Sequence, residues 1–168
     1  MNRITLGISE AKDKNVVLAT YTYHVLRSLR SDLFDSDKQD IQSMFVAFGD
    51  YFVCSFTKKP VLGEGATFRD SKKPYIRNLD NKLSFSTIGP QTSIYDAAEI
   101  WGGAFWEIRQ IVGQAITDKL LFSTWMSMRP SNVRSDYAKK ILEADQTLED
   151  GKHIDTIRSV FSRRGLNL

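Results

Sequence analysis

Few side chains in this sequence of 168 residues are able to carry out metal or nucleophilic chemistry. The chain has two histidines, His24 and His153, and a single cysteine, Cys54. A lone cysteine forms no internal disulfide and supplies no cysteine-based zinc site, so a small buried apolar role is favoured for Cys54. Catalytic zinc usually needs three protein ligands. An isolated histidine such as His24 therefore favours a packed or hydrogen-bonded role over a metal-binding one.

The composition is typical of a globular protein, with 42% hydrophobic, 26% charged and 11% aromatic residues. We predict a single domain over residues 1–168. The net charge of +3 is small, and the paired basic residues are scattered between acidic ones, so no nucleic-acid partner is expected. A membrane span and a secretory signal are both unexpected, because long apolar stretches are lacking. These features lead us to expect a soluble protein of the cytoplasm or another intracellular compartment.

Helical periodicity surrounds one long irregular segment. Apolar residues recur every three or four positions in stretches at 13–29, 36–56, 93–112, 115–128, 131–142 and 154–161. Ser36 and Ser131 are the predicted N-caps of two of these helices. Residues 60–92 instead mix proline, glycine and charged residues. The sequence therefore predicts a mainly α fold, a bundle of five to six helices with a long loop at about 60–92.

Side-chain spacing within these helices also predicts which residues face the core. Phe56, Met126 and Val133 are expected to face inward with their apolar neighbours. Gly102 and Gly103 lie inside a predicted helix, where each costs about 1 kcal/mol relative to alanine unless another backbone packs closely. We therefore expect another helix to approach at these two glycines.

Short segments in the second half of the chain resemble the thermolysin-like and fungalysin-like zinc metallopeptidases. Residues 99–109, EIWGGAFWEIR, are similar to the helix that closes the active site in those enzymes. Segments at 118–121, 141–145 and 161–166 are similar to their C-terminal helical subdomain, and segments at 48–52, 63–65 and 75–81 to the stretch with the third zinc ligand. The resemblance implies the fold of that subdomain together with the helix that carries the family's His-Glu-x-x-His motif.

The same resemblance implies that the first part of the family's metal centre is degenerate. In the family, two histidines four residues apart hold zinc and a glutamate activates the bound water. The corresponding residues are Thr20, Tyr21 and His24. A threonine hydroxyl is a poor zinc ligand, and a phenol with a reference pKa of about 10 does not take a proton from water at neutral pH.

The rest of the centre is altered as well. The third zinc ligand, a glutamate in the family, corresponds to Val46, and Asp50 stands where an aspartate orients a ligand histidine. With no such ligand here, a structural hydrogen bond or a solvated charge is the favoured role for Asp50. Tyr95 takes the place of the transition-state histidine. The resemblance thus implies a chain with no zinc, no other cofactor and no peptidase activity.

A non-catalytic structural or protein-interaction subunit derived from a zinc metallopeptidase is the function these features favour. Its partner would be another protein, within a larger assembly. Aromatic residues commonly anchor interfaces, and the degenerate site predicts a groove for the partner. The predicted groove residues are Thr20, Tyr21, His24, Val46, Tyr95 and Trp101. A regulatory or complementing half of a two-chain metallopeptidase is the alternative, since only about 19 residues precede Thr20, too few for the family's substrate-binding β-rich subdomain.

Overall fold

Helices make up most of the computed structural model, which describes residues 10–64 and 73–168. The α-helices of that part are α1 Lys14–Leu29, α2 Ser31–Phe34, α3 Gln39–Thr57, α4 Ile94–Val112, α5 Gln114–Ser127, α6 Arg134–Leu148 and α7 Ile154–Arg163. The predicted mainly α fold is confirmed, and the four-residue α2 is added to the six longer helices that the periodicity indicated. Among the described residues, no helix has the length and apolar character needed to cross a lipid bilayer.

The segment between α3 and α4 is largely irregular, as predicted, but it contains a short antiparallel ladder. Strand β1, Val61–Leu62, pairs with strand β2, Arg77–Asn78, so that Leu62 lies opposite Arg77. A single turn of 3-10 helix follows at Phe85–Thr87. Residues 65–72 of the predicted loop lie outside the described part of the chain. The ladder matters for the site, because it fixes the backbone that carries Arg77.

Caps at α1 and α4 account for where these two helices begin and end. The Asp13 carboxylate accepts hydrogen bonds from the backbone N–H groups of Asn15 (2.8 Å) and Val16 (3.2 Å). The Ser93 hydroxyl accepts one from the N–H of Asp96 at 3.1 Å. Gly113 ends α4 with φ of 101°, a value that favours glycine. These interactions satisfy N–H groups that a helix start leaves without partners.

Two predicted caps are wrong. Helix α3 begins at Gln39, and Ser36 instead accepts a hydrogen bond from the N–H of Lys38 at 3.3 Å, before the helix starts. Helix α6 has Val133 at its N-cap position, where the N–H of Val133 donates to the Asp136 carboxylate at 3.0 Å. The Asp136 carboxylate therefore satisfies the N–H of the N-cap residue, and Val133 rather than Ser131 occupies the N-cap position.

An aromatic core lies where α3, α4, α5 and α7 meet. Trp101 is completely buried, with its ring centre 4.5 Å from that of Phe85 and 5.9 Å from those of Phe105 and Phe161. Burying a large apolar side chain contributes about 1.5–3 kcal/mol. This cluster therefore supplies much of the free energy that holds α4, and the site residues on it, in place.

Three side chains expected in the core are exposed: Phe56 by 75%, Val133 by 54% and Met126 by 42%. A four-residue step advances about 40° around a helix, so Phe56 lies about 80° away from the buried Phe48 on α3. Met126 follows the fully buried Trp125 and is rotated from it by about 100°. Apolar spacing located these helices correctly but overestimated the width of their buried faces.

Gly102 and Gly103 face the segment that follows β2, and the expectation of another helix at this place is wrong. A Cβ on Gly102 would lie 2.5 Å from a terminal methyl of the buried Leu79. A Cβ on Gly103 would overlap the side-chain oxygen of Asn81 and lie 2.8 Å from a guanidinium nitrogen of Arg164. The two glycines therefore allow the β2 segment to pack directly on α4.

Candidate functional site

An open cleft of about 480 Å³ lies between α1, the β1–β2 ladder and the first turns of α4. Its walls combine apolar side chains from α1 and the ladder with charged groups at β2 and α4. The lining residues are Val16, Ala19, Thr20, Tyr23, Leu62, Lys73, Ile76, Arg77, Tyr95, Asp96 and Glu99. We call this space the α1–α4 cleft.

A buried ion pair stands beside the cleft. The Arg77 guanidinium donates two hydrogen bonds to the Asp50 carboxylate, one from Nε to Oδ2 and one from Nη2 to Oδ1 at 2.9 Å. The Tyr23 hydroxyl donates to Asp50 Oδ1 and accepts from Arg77 Nη2 at 3.1 Å. Asp50 is fully buried and Arg77 is 8% exposed. Both carboxylate oxygens are therefore engaged by donors that the protein itself supplies.

Protonation in this network is fixed by burial and by the ion pair. Burial, and then the neighbouring Asp50 charge, raises the pKa of the Tyr23 phenol well above its ordinary value. Burial opposes the charge on Arg77, but the Asp50 carboxylate outweighs it and raises the guanidinium pKa. The raised pKa keeps the phenol and the guanidinium protonated at neutral pH, so neither is a base available to a substrate.

Glycine at position 49 allows the tyrosine to reach the ion pair. A Cβ on Gly49 would overlap the Tyr23 ring. Tyr23 consequently lies against the backbone of α3 and extends to Asp50, one residue further along that helix. A side chain at position 49 would push the ring away from this carboxylate.

Glu99 is a second carboxylate of the cleft that already has partners. Its Oε1 accepts a hydrogen bond from the backbone N–H of Asn78 at 2.8 Å, and its Oε2 lies 3.5 Å from the Lys73 ammonium. Glu99 is 6% exposed. It therefore ties strand β2 to helix α4 and holds one wall of the cleft in place.

Two of the residues predicted from the resemblance, Thr20 and Tyr95, line the α1–α4 cleft. The Thr20 hydroxyl donates to the backbone carbonyl of Val16 at 2.9 Å. Tyr95 is 56% exposed, and the Arg77 guanidinium lies 5.5 Å from its ring centre. Val46 is 7% exposed and lines a second cleft, of about 360 Å³, which Tyr95 also borders. Tyr95 thus lies on the rim of both clefts.

The other predicted groove residues lie elsewhere. Tyr21 is 58% exposed on α1, and His24 is partly exposed on the same helix; neither lines the α1–α4 cleft. Trp101 is completely buried in the aromatic core. Its assignment to the groove is therefore corrected, because a side chain with no exposed surface cannot contact a partner. The predicted groove residues thus do not form one continuous surface.

Sequence reasoning missed the two partners of Asp50. Arg77 lies in segment 75–81 and Tyr23 in the helical stretch 13–29, but the sequence assigned a function to neither side chain. Both are 27 residues from Asp50 in sequence, so no local spacing relates them. The structure gives Asp50 a hydrogen-bonded structural role, which was one of the two favoured. Cys54 is fully buried, and burial raises the pKa of its thiol above the ordinary value.

Within residues 10–64 and 73–168, no three side chains of the His, Cys, Asp or Glu types come together as a metal-binding group. Comparison with protein-family models gives no match, and comparison with curated protein sequences gives no significant match.

Proposed function

We propose that this chain is a non-catalytic protein-interaction subunit, derived from a thermolysin-like zinc peptidase, whose α1–α4 cleft binds a segment of a partner protein. The observation that carries the proposal is the pairing of two buried carboxylates at the cleft, Asp50 and Glu99. Asp50 is held by Arg77 and Tyr23, and Glu99 is held by the Asn78 N–H group and Lys73. A hydrolytic site needs a base or a metal ligand with a lone pair directed at the substrate, and these groups direct theirs into the protein.

The position of Arg77 supports loss of the metal centre in particular. By resemblance, Asp50 is the residue that would orient a ligand histidine. Its carboxylate instead receives a guanidinium, which is a permanent cation. A zinc ion nearby would add two positive charges close to this cation in a largely buried environment, where charge repulsion is poorly screened. The substitutions at positions 20 and 46 act in the same direction because they remove ligand atoms, and the one at position 21 removes the general base.

The side chains that line the cleft are suited to bind a segment of a partner protein. Val16, Ala19, Leu62 and Ile76 give it apolar walls, and contact with such walls is the main source of affinity in protein recognition. Tyr95, more than half exposed at the rim, has the amphipathic character of the tyrosines that anchor interfaces. An extended segment with one or two apolar side chains would fit a cleft of this volume and character.

Affinity purification of matched variants tests the proposal. The tagged full chain is purified under mild conditions from cells that naturally produce it, in parallel with Tyr95→Asp and Ile111→Asp. Both residues belong to α4 and both are 56% exposed, but Ile111 lies at the far end of the helix. We expect a stoichiometric partner with the unmodified chain and with Ile111→Asp, and at least about a tenfold loss with Tyr95→Asp, since a buried charge in an interface costs more than about 1.4 kcal/mol.

Two results would count against a cleft that binds a partner. One is an accompanying protein that Tyr95→Asp retains as well as Ile111→Asp does. The other is one zinc ion per purified chain together with cleavage of casein, which would favour the two-chain peptidase.

A further inference from the structure

A pocket of about 560 Å³ lies between the start of α1 and the end of α3. Pockets that bind small molecules commonly have volumes of about 300–1,000 Å³. The residues that line this pocket all differ from those of the α1–α4 cleft, so a ligand here goes beyond the proposed function and does not depend on what the cleft binds. We call this space the α1–α3 pocket. Its lining includes Lys12, Lys14, Asn15, Phe56, Lys59 and Glu64.

Asn15 gives the α1–α3 pocket a buried amide whose hydrogen-bonding capacity is not used. The residue is 7% exposed, and its side-chain oxygen is buried with no hydrogen-bond partner among the described residues. Folded proteins rarely leave a buried polar atom unpaired, because such an atom has lost its contacts with water and gained none in return. Since Asn15 lines the pocket, a ligand bound beside it is placed to supply the missing donor.

Three ammonium groups border the same pocket. Lys12, Lys14 and Lys59 line it and are exposed, and in the part of the chain that the structure describes none of them forms an ion pair. Two carboxylates also line the pocket. Asp13 already accepts two backbone N–H groups as the cap of α1, and the other carboxylate is that of Glu64. Because the cations outnumber the anions, the pocket attracts a ligand with negative charge.

Phe56 adds an aromatic ring to the lining. It belongs to the last turn of α3 and is 75% exposed. Exposure of so much apolar surface to water is unfavourable, and a flat ring stacked on the phenyl group would remove part of it from solvent. Stacking on aromatic side chains is a common way in which proteins hold nucleic-acid bases. The pocket thus combines a ring, an amide and three cations.

We propose that the α1–α3 pocket binds a nucleoside phosphate. The lysines hold the phosphate, for which lysine is a common ligand. Phe56 stacks on the base, and the amide of Asn15 forms hydrogen bonds with its edge. An asparagine side chain presents one donor and one acceptor side by side, and adenine offers the complementary pair.

Two other ligands with phosphate groups fit the lining less well. Inorganic phosphate would contact the lysines but would leave Asn15 and Phe56 without partners. A nucleic-acid strand would need basic residues along an extended surface, and the net charge of the whole chain is only +3.

The test is isothermal titration calorimetry of the full chain with adenosine monophosphate (AMP), adenosine and inorganic phosphate. We expect AMP to bind saturably, and at least about tenfold more tightly than adenosine or inorganic phosphate, because only AMP contacts the lysines and Phe56 together. Added salt should weaken the binding of AMP, since part of its affinity comes from exposed charges.

Variants of the lining separate the three contacts. Lys14→Glu and Phe56→Ala should each weaken AMP binding about tenfold, by charge repulsion and by loss of stacking. Glu64→Gln should tighten it, because a repulsive carboxylate is removed. Asn15→Leu should weaken AMP binding without lowering the free energy of unfolding of the free chain, because the amide oxygen has no partner to lose. Lys139→Glu is the matched control, since Lys139 is an exposed lysine of α6 and the change in net charge is the same.

Circular dichroism establishes that each variant is folded. The proposal is overturned if AMP does not bind saturably, if adenosine or inorganic phosphate binds as tightly as AMP, or if Lys139→Glu weakens AMP binding as much as Lys14→Glu. It is equally overturned if Asn15→Leu leaves AMP binding unchanged, or if a single-stranded adenine oligonucleotide binds far more tightly than AMP. Tyr95→Asp should leave AMP binding unchanged, so failure here is distinguishable from failure of the cleft proposal.

Discussion

Replacing Arg77 with methionine tests the ion pair beside the α1–α4 cleft. Methionine keeps an unbranched side chain of similar reach but removes the guanidinium, which leaves the fully buried Asp50 carboxylate without its cationic partner. Removing one partner of a buried ion pair costs about 3–5 kcal/mol. Domains of this size are stable by about 5–15 kcal/mol, so Arg77→Met should remove a large share of the free energy of unfolding.

A double-mutant cycle separates the interaction between the two residues from the effect of each substitution. Asp50→Asn keeps the shape of the side chain but removes its charge, and alone it leaves the Arg77 cation buried without a counterion. In Arg77→Met with Asp50→Asn neither charge remains. The double variant should therefore lose less stability than the sum of the two single losses, by at least about 2 kcal/mol.

Urea unfolding followed by tryptophan fluorescence measures these differences. Trp101 and Trp125 are completely buried and Trp106 is 5% exposed, so unfolding exposes all three indoles to water. Midpoints are converted to free energies with the urea dependence of each variant. Additive losses in the cycle, or a loss below about 1 kcal/mol for Arg77→Met, would refute the conclusion that Arg77 and Asp50 form a tightly coupled buried pair.

Three further expectations follow from packing and protonation. Gly103→Ala should lower the free energy of unfolding by about 1 kcal/mol, because the overlap of its Cβ with Asn81 costs about 2 kcal/mol and alanine regains about 1 kcal/mol of helix propensity. Trp101→Ala should lower it by about 3–5 kcal/mol, because the indole is completely buried. The pKa of Tyr23 is raised in the folded state. Tyr23 therefore contributes fully to the free energy of unfolding below the unfolded pKa of about 10, and this contribution is lost as pH rises above that value. Tyr23→Phe should therefore reduce the alkaline loss of stability by about 1.4 kcal/mol per pH unit, as measured by urea unfolding at a series of pH values.

Matched substitutions make these expectations specific. Gly89→Ala adds the same carbon where no atom lies within 4 Å, so it should not destabilise the fold; equal losses for Gly89→Ala and Gly103→Ala would contradict the packing argument. Tyr21→Phe removes the same oxygen atom from an exposed side chain and is the control for Tyr23→Phe. A loss below about 1 kcal/mol for Trp101→Ala would place the indole at an accessible surface, as the sequence first suggested.

Helix positions were predictable because they depend on local periodicity. The bounds expected for the first helix and for the one ending before Gly113 differ from α1 and α4 by a single residue. The caps at Ser36 and Ser131 were wrong because α3 and α6 begin at Gln39 and Arg134, two residues later than those caps require, and local spacing does not fix a helix boundary so closely. Neighbouring elements, which periodicity does not show, determine how wide a face each helix buries.

The chemistry at the candidate site was less predictable. The resemblance implied missing ligand atoms at Thr20 and Val46 and a missing general base at Tyr21. It did not indicate that Arg77, carried on a two-residue strand, would occupy the Asp50 carboxylate. That contact joins residues 27 positions apart, and so does the contact of Tyr23 with Asp50, which requires Gly49 to admit the Tyr23 ring. It depends on tertiary packing, which neither composition nor motif spacing describes.

Zinc stoichiometry is the most direct test of the proposal that this chain holds no catalytic metal. The full chain, purified without chelators and then equilibrated with excess zinc, is dialysed and its metal content measured, with His24→Ala and Asp50→Asn treated in parallel. We expect well below one zinc ion per chain and no difference among the three proteins. One tightly held ion per chain that both substitutions release would contradict the account, because it would show that a metal displaces Arg77 from Asp50.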